Sequence, residues 1–286
     1  MNVSGIASLC FAGPMPVLRL VSAFSHLNLP FLLGYSLYCL ASIIRNDGKG
    51  FMDDIKISAL AEAVAEAIKD IVYNAITAGL MKSVTPAVFF TAGSPGAGKS
   101  ELINQRLRVF SNILVIDADE FRRLLPYYEE TNAPLFQRAA SNLVEYVYMK
   151  ATAEGLDIIM DSNFASFKNA EFNLSLALER GYVTAIDYVY LDPALAWAYA
   201  RQRKRKVPLS VLKNNFMKCR STIKKVLKDE RFIGRVQVTV YYREKDFTQP
   251  NKFNVTRIRN IKTETEFLNS HRCPYTKLAH LNVIAV

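Results

Sequence analysis

The eight residues Gly93-Ser94-Pro95-Gly96-Ala97-Gly98-Lys99-Ser100 constrain this chain more than any other stretch. Glycine tolerates backbone conformations closed to other residues, so Gly93, Gly96 and Gly98 let successive N–H groups turn inward around one point. An apolar run, Ala87 to Ala92, precedes them, and a helical pattern opening near Gly98 follows. In that strand, loop and helix context, G-x-x-x-x-G-K-[ST] wraps phosphate oxygens, and the helix N-terminus adds its own preference for anions. Lys99 would then put a charge on the β- and γ-phosphates of ATP, and Ser100 would offer a hydroxyl to the Mg2+ that bridges them. The expectation is a nucleotide site lined by residues 93–100.

Around this loop, short runs rich in Val, Ile and aromatics alternate with helical patterns, as in successive strand-helix units of a parallel sheet. Strands are expected at Ala87 to Ala92, Ile113 to Asp117, Asp157 to Asp161 and Val183 to Leu191, with helices beginning near Gly98, Leu135 and Lys168. Two further helices, Pro193 to Arg205 and Leu209 to Asp229, are separated by Pro208, and a late strand runs from Val236 to Tyr242. The fold class expected is a three-layer α/β/α P-loop nucleoside triphosphate hydrolase fold, with a mostly parallel central sheet and a helical lid, in residues 83–250. Within residues 52–82, Ile57, Leu60, Val64, Ile68, Ile71, Val72, Ala75 and Ile76 recur at three- and four-residue steps, which predicts an amphipathic packing helix. Residues 251–286 form a C-terminal extension of mixed pattern.

Residues 1–51 differ from all of this. Met1 to Asn46 contains no acidic residue, and Leu29 to Ile44 is almost wholly apolar. Sixteen residues fall short of the roughly 20 that a membrane helix needs, and Asn28, Pro30 and Gly34 weaken that reading further. The favoured reading is an upstream extension of the frame, with Met52 as the working start; a weak membrane segment is the alternative.

The formal charge of +10 points to nucleic acid only if it is spread along the chain. Instead, eleven Lys or Arg and no Asp or Glu stand between Ala200 and Lys228, leaving 25 basic against 26 acidic residues elsewhere. Cys10, Cys39, Cys219 and Cys273 have neither metal-ligand spacing nor the density of a disulfide scaffold, so a reducing, cytoplasmic setting is expected. His26, His271 and His280 all lie outside the motif-bearing region, which argues against histidine chemistry.

A phosphate loop alone does not separate kinases from other NTPases. No N-K-x-D base-reading motif is present, and no strand carries the paired acids of a translocating engine. The strand Val115-Ile116-Asp117 instead brings carboxylates to the C-terminal sheet edge, where ligands of open α/β sheets collect. A hydroxyl that accepts a phosphoryl group needs a carboxylate to take its proton, and Asp119 is the candidate base. Asp117 is a candidate substrate contact, with helix capping as the competing reading for both acids. Arg122, three residues past Asp119, could bind substrate phosphate or hold Asp119 in place. Asp161 closes the next strand and could hold Mg2+ or the acceptor, again with capping as the competitor. Among the cations before Pro208, Arg201, Arg203 or Arg205 could close over the transferring group from a lid; most of the other basic residues read as solvated surface.

Five segments in order, AGSPGAGKSE, VIDADEFRRLLPYY, FQRAAS, IIMDSNF and YLDPALAWAYARQR followed by VP, resemble the zeta toxin family of P-loop kinases. The resemblance spans roughly Thr85 to Lys228. It implies that Lys99 and Ser100 hold ATP and Mg2+, that Asp119 activates the acceptor, that Asp161 belongs to the site, and that the lid arginines fall among Arg201 to Arg205. It also implies a UDP-linked N-acetyl amino sugar as the first acceptor to consider, and an antitoxin protein as a partner. Two departures stand out: Asp161-Ser162-Asn163 replaces the Asp-Gly-Thr of many relatives, and the lid between Trp197 and Pro208 is short. The alternatives are a kinase of nucleic-acid ends or of another metabolite, and a nucleotide-dependent regulatory binding protein.

Overall fold

The computed structural model describes residues 53–202, 207–245, 253–271 and 273–284. The N-terminal extension and the lid residues Arg203 and Arg205 therefore lie outside the described residues. The first helix, α1 (Asp54–Thr77), starts where the side chain of Asp53 accepts a hydrogen bond from the Lys56 N–H. Its Val64, Ala65, Ile68 and Val72 are buried, whereas Ile71 is 38% exposed.

Strand β1 (Ala87–Ala92) then leads through the glycine-rich loop into α2 (Lys99–Leu107). β2 (Leu114–Asp117) turns at once into the short helix α3 (Ala118–Arg123). A 3-10 turn, Ala133–Phe136, opens α4 (Gln137–Glu154), which is followed by β3 (Ile158–Asp161), α5 (Phe167–Glu179) and β4 (Val183–Tyr190). Next come α6 (Pro193–Ala200), α7 (Leu209–Val226), β5 (Val236–Lys245), β6 (Phe253–Ile258), α8 (Glu264–Asn269) and a 3-10 turn, Leu278–Val283. The expected strands are all present. The largest shifts are that α6 ends at Ala200 rather than Arg205, α7 ends at Val226 rather than Asp229, and β5 runs three residues beyond Tyr242, while β6 is a strand within the expected C-terminal mix.

The six strands lie in the order β2-β3-β1-β4-β5-β6, parallel except for β6, which runs antiparallel to β5. Because side chains alternate along a strand, Phe90, Ile116, Ile158 and Tyr188 face one way, into a core shared with Val64, Leu143, Leu174 and Phe216 of the flanking helices. Phe89, Val115 and Ile159 face the other way, against Ile103 of α2. Helices thus cover both faces of a mostly parallel sheet, which is the expected three-layer architecture. α1 packs on α4 within the same core and is tied there by Tyr73 Oη donating to Glu154 Oε2 at 2.6 Å.

The strand order sets the layout of the site. The loop after β1 leaves the middle of the sheet, with the ends of β3 and β2 on one flank and those of β4, β5 and β6 on the other.

Candidate active site

The glycine-rich loop is built against the backbone of neighbouring elements. Gly93 has a φ of 142°, and a Cβ there would lie 2.5 Å from the carbonyl oxygen of Val189 in β4. Gly96, at φ 81°, would drive a Cβ into the carbonyl of Ala196 in α6. Both positions therefore exclude side chains by conformation and by space. Lys99 Nζ donates to the carbonyls of Gly93 at 3.1 Å and Ser94 at 3.3 Å, so the ammonium bends back over the loop it follows. Ser100 stands exposed in the first turn of α2, beside the N–H groups that the helix leaves unpaired.

On the β2 and β3 flank, Asp117 and Asp161 are register partners across the two strand ends. Asp117 caps α3, accepting from the Asp119 N–H at 2.8 Å, so the capping reading holds for it. Burial, then the nearby charges of Asp161 and Asp119, push its pKa up to about 7. Asp161 accepts from Thr91 Oγ1 at 2.9 Å, and Ser162 Oγ donates to the Thr91 carbonyl at 3.0 Å. Thr91, buried near the end of β1, therefore pins the Asp161-Ser162 corner beside the loop; a polar residue closing an otherwise apolar strand is the sequence signal that points to it.

Asp119 lies in the first turn of α3 with its side chain about half exposed, and is ion-paired to Arg122. Arg122 is buried and also donates to Gln137 Oε1 at the start of α4. Of its two expected roles, the described contacts match the second: the guanidinium grips Asp119 from inside the fold. Arg201 caps α6 on the other flank, exposed, with its guanidinium 5.7 Å from the centre of the Trp197 ring. Asp117, Asp119, Arg122 and Asp161 thus come together on the β2 and β3 flank.

Two features had no sequence reading. Arg106 of α2 forms a largely buried ion pair with Asp187 in the middle of β4 and lies 4.1 Å from the Phe89 ring centre. Arg243 of β5 reaches the phosphate loop, where its Nη1 donates to the Ala97 carbonyl at 2.7 Å. Each depends on which strands are neighbours, and local pattern does not carry that.

Among the described residues, four members of the basic stretch after Ala200 are engaged. Lys224 and Lys228 both pair with Glu264, Lys225 sits 5.1 Å from the Phe167 ring centre, and Arg220 is buried. No group of three or more His, Cys, Asp or Glu able to hold a metal occurs among the described residues, and no described helix is long and apolar enough to cross a membrane.

The chain is similar in fold to a structure from the PezAT chromosomal toxin-antitoxin system of the human pathogen Streptococcus pneumoniae. That match has a TM-score of 0.51 and 18% identity, over 65% of this chain and 79% of that one. It is also similar to a chain of the AvrRxo1-ORF1:-ORF2 structure with ATP, at a TM-score of 0.52 and 13% identity, over 77% of this chain and 73% of that one. A search of curated proteins by sequence found no match. The zeta toxin family model matches residues 73–254, more than half of the chain, and covers the phosphate loop, both acidic strand ends, α6 and β5. With that match and this fold, the chain belongs to the zeta toxin family.

Proposed function

We propose that this chain is an ATP- and Mg2+-dependent phosphotransferase that moves the γ-phosphate to a hydroxyl of a small acceptor. The observation that carries the reading is the pairing of a phosphate cradle with carboxylates on the next two strand ends, Asp161 of β3 and Asp119 just past β2. The cradle fits a polyphosphate: Gly93 and Gly96 keep its wall free of side chains, and Lys99 rests on carbonyls that it can exchange for phosphate oxygens. Ser100 and Asp161 would hold Mg2+, a small hard cation that takes its remaining ligands from phosphate and water. Held by those two residues, the ion would supply charge neutralisation of the phosphates.

Asp119 then takes the proton of the acceptor hydroxyl, and its exposure leaves it reachable from solvent. Arg122 aims that carboxylate, with Gln137 holding the other end of the guanidinium. Asp117 lines the acceptor side, while Arg201 and Arg205 are the lid cations proposed to screen the transferring group. A UDP-N-acetyl amino sugar is the first acceptor to test, as the family implies. Both similar structures come from two-component systems, one toxin-antitoxin and one with a second reading-frame product, which supports an antitoxin as partner. A reducing, cytoplasmic setting remains the proposed location. The engagement of Lys224, Lys228 and Arg220 weighs against nucleic acid as acceptor.

Incubating the protein with γ-labelled ATP and a panel of UDP-sugars, nucleosides and oligonucleotides, read by mass spectrometry, tests the reading. A phosphorylated small acceptor with release of ADP is expected. ATP binding with no phosphorylated product anywhere in the panel would favour a regulatory binding protein instead.

A further inference from the structure

If ATP is bound as proposed, the flank of the loop away from the acids must receive its other end. The γ-phosphate has to face Asp119 and Asp161 on the β2 and β3 side of β1. The phosphate chain then runs across the loop, and the nucleoside emerges on the side of β4, β5 and β6. On that side the Arg243 guanidinium lies over Ala97 and Gly98, so close that a Cβ on Gly98 would collide with it. Its Nη1 donates to the Ala97 carbonyl at 2.7 Å, the one hydrogen bond it makes among the described residues. The guanidinium carbon is 4.3 Å from the centre of the Phe253 ring in β6, and that ring meets Tyr199 of α6 edge-on at 5.5 Å between centroids.

A flat cation backed by an aromatic ring, beside a phosphate loop, is suited to stacking on a heteroaromatic base. We propose that Arg243, supported by Phe253 and Tyr199, binds the base of the nucleotide and makes this site prefer a nucleoside triphosphate over bare polyphosphate. The proposal rests on the phosphotransferase reading for the direction in which the nucleotide lies. It requires planarity as well as charge, so lysine is a poor substitute at this position.

Isothermal titration of the full chain with Mg2+-ATP and, separately, with inorganic tripolyphosphate tests it. In Arg243→Lys and Arg243→Met, which keep an unbranched side chain without the planar guanidinium, affinity for ATP should fall about tenfold, with tripolyphosphate binding unchanged. Phe253→Leu, which leaves the arginine in place without its aromatic support, should move in the same direction. Equal weakening of both ligands would assign Arg243 to the loop or the phosphates and overturn the proposal. So would full ATP affinity in folded Arg243→Lys and Phe253→Leu. A wild-type protein that binds neither ligand would instead sink the nucleotide reading, and this inference with it.

Discussion

At the scale of single residues, the site depends on carboxylates held in different ways. Asp119 is gripped by an arginine that is itself buried, so the two substitutions should have different effects. Asp119→Asn removes the proposed proton acceptor and should lower phosphoryl transfer by about 10^2-fold or more while leaving ATP affinity intact. Arg122→Met leaves the acceptor present but unaimed; kcat should fall with KM for ATP unchanged, and steady-state kinetics distinguish this from a loss of binding. A different residue reports on folding. His271 is packed among Tyr188, Tyr190 and Phe267, with Ser270 Oγ 2.9 Å from its Nδ1, and burial lowers its pKa from 6.5 to about 3. The unfolded chain therefore binds a proton there that the folded chain refuses. This stabilisation is complete above about pH 6.5 and declines as pH falls toward 3, by an amount on the order of a few kcal/mol. In denaturant titrations from pH 7 to pH 4, wild type should lose stability relative to His271→Phe as the pH falls; parallel curves would remove His271 from the account.

At the scale of elements, the phosphate-loop helix is anchored by one ion pair. Arg106 of α2 meets Asp187 in the middle of β4, with side-chain exposures of 14% and 2%. Burial raises the Asp187 pKa despite the attraction of Arg106, so the pair is expensive to desolvate and more expensive to break. Arg106→Met alone should cost about 3–5 kcal/mol, whereas Arg106→Met with Asp187→Leu should recover most of that loss in equilibrium unfolding. A double variant no more stable than the single one would contradict this. The strands were legible because Val, Ile and aromatic runs such as Ala87 to Ala92 announce themselves locally, and the phosphate loop because its glycines and lysine have fixed spacing. Asp187 was not legible as a partner: it sits inside a strand expected to be apolar, and its arginine is 81 positions away. Arg243 was missed for a related reason, since the expected strand stopped at Tyr242 and only the order β1-β4-β5 brings the extra turn of chain to the loop. The acids at β2 and β3 were legible as strand ends, but the grip of Arg122 on Asp119 and of Thr91 on Asp161 depends on side-chain packing that local pattern does not carry.

At the scale of the whole molecule, the sheet separates two jobs. Acids that would receive a hydroxyl gather on one flank of β1, and the aromatic and guanidinium groups proposed to hold the base gather on the other, with the cradle between them. That layout needs β1 at the centre of the sheet, and the strand order supplies it. The charge excess that might have signalled nucleic acid is instead spent partly on internal pairing, through Glu264 and the Phe167 ring. The most direct test of phosphoryl transfer is the fate of the γ-phosphate of labelled ATP in the presence of a UDP-N-acetyl amino sugar, with wild type, Lys99→Ala and Asp119→Asn compared side by side. The account predicts labelled sugar from wild type only, with Asp119→Asn still binding ATP and Lys99→Ala not. Labelled product from Asp119→Asn at the wild-type rate, or ATP affinity undiminished in Lys99→Ala, would contradict it.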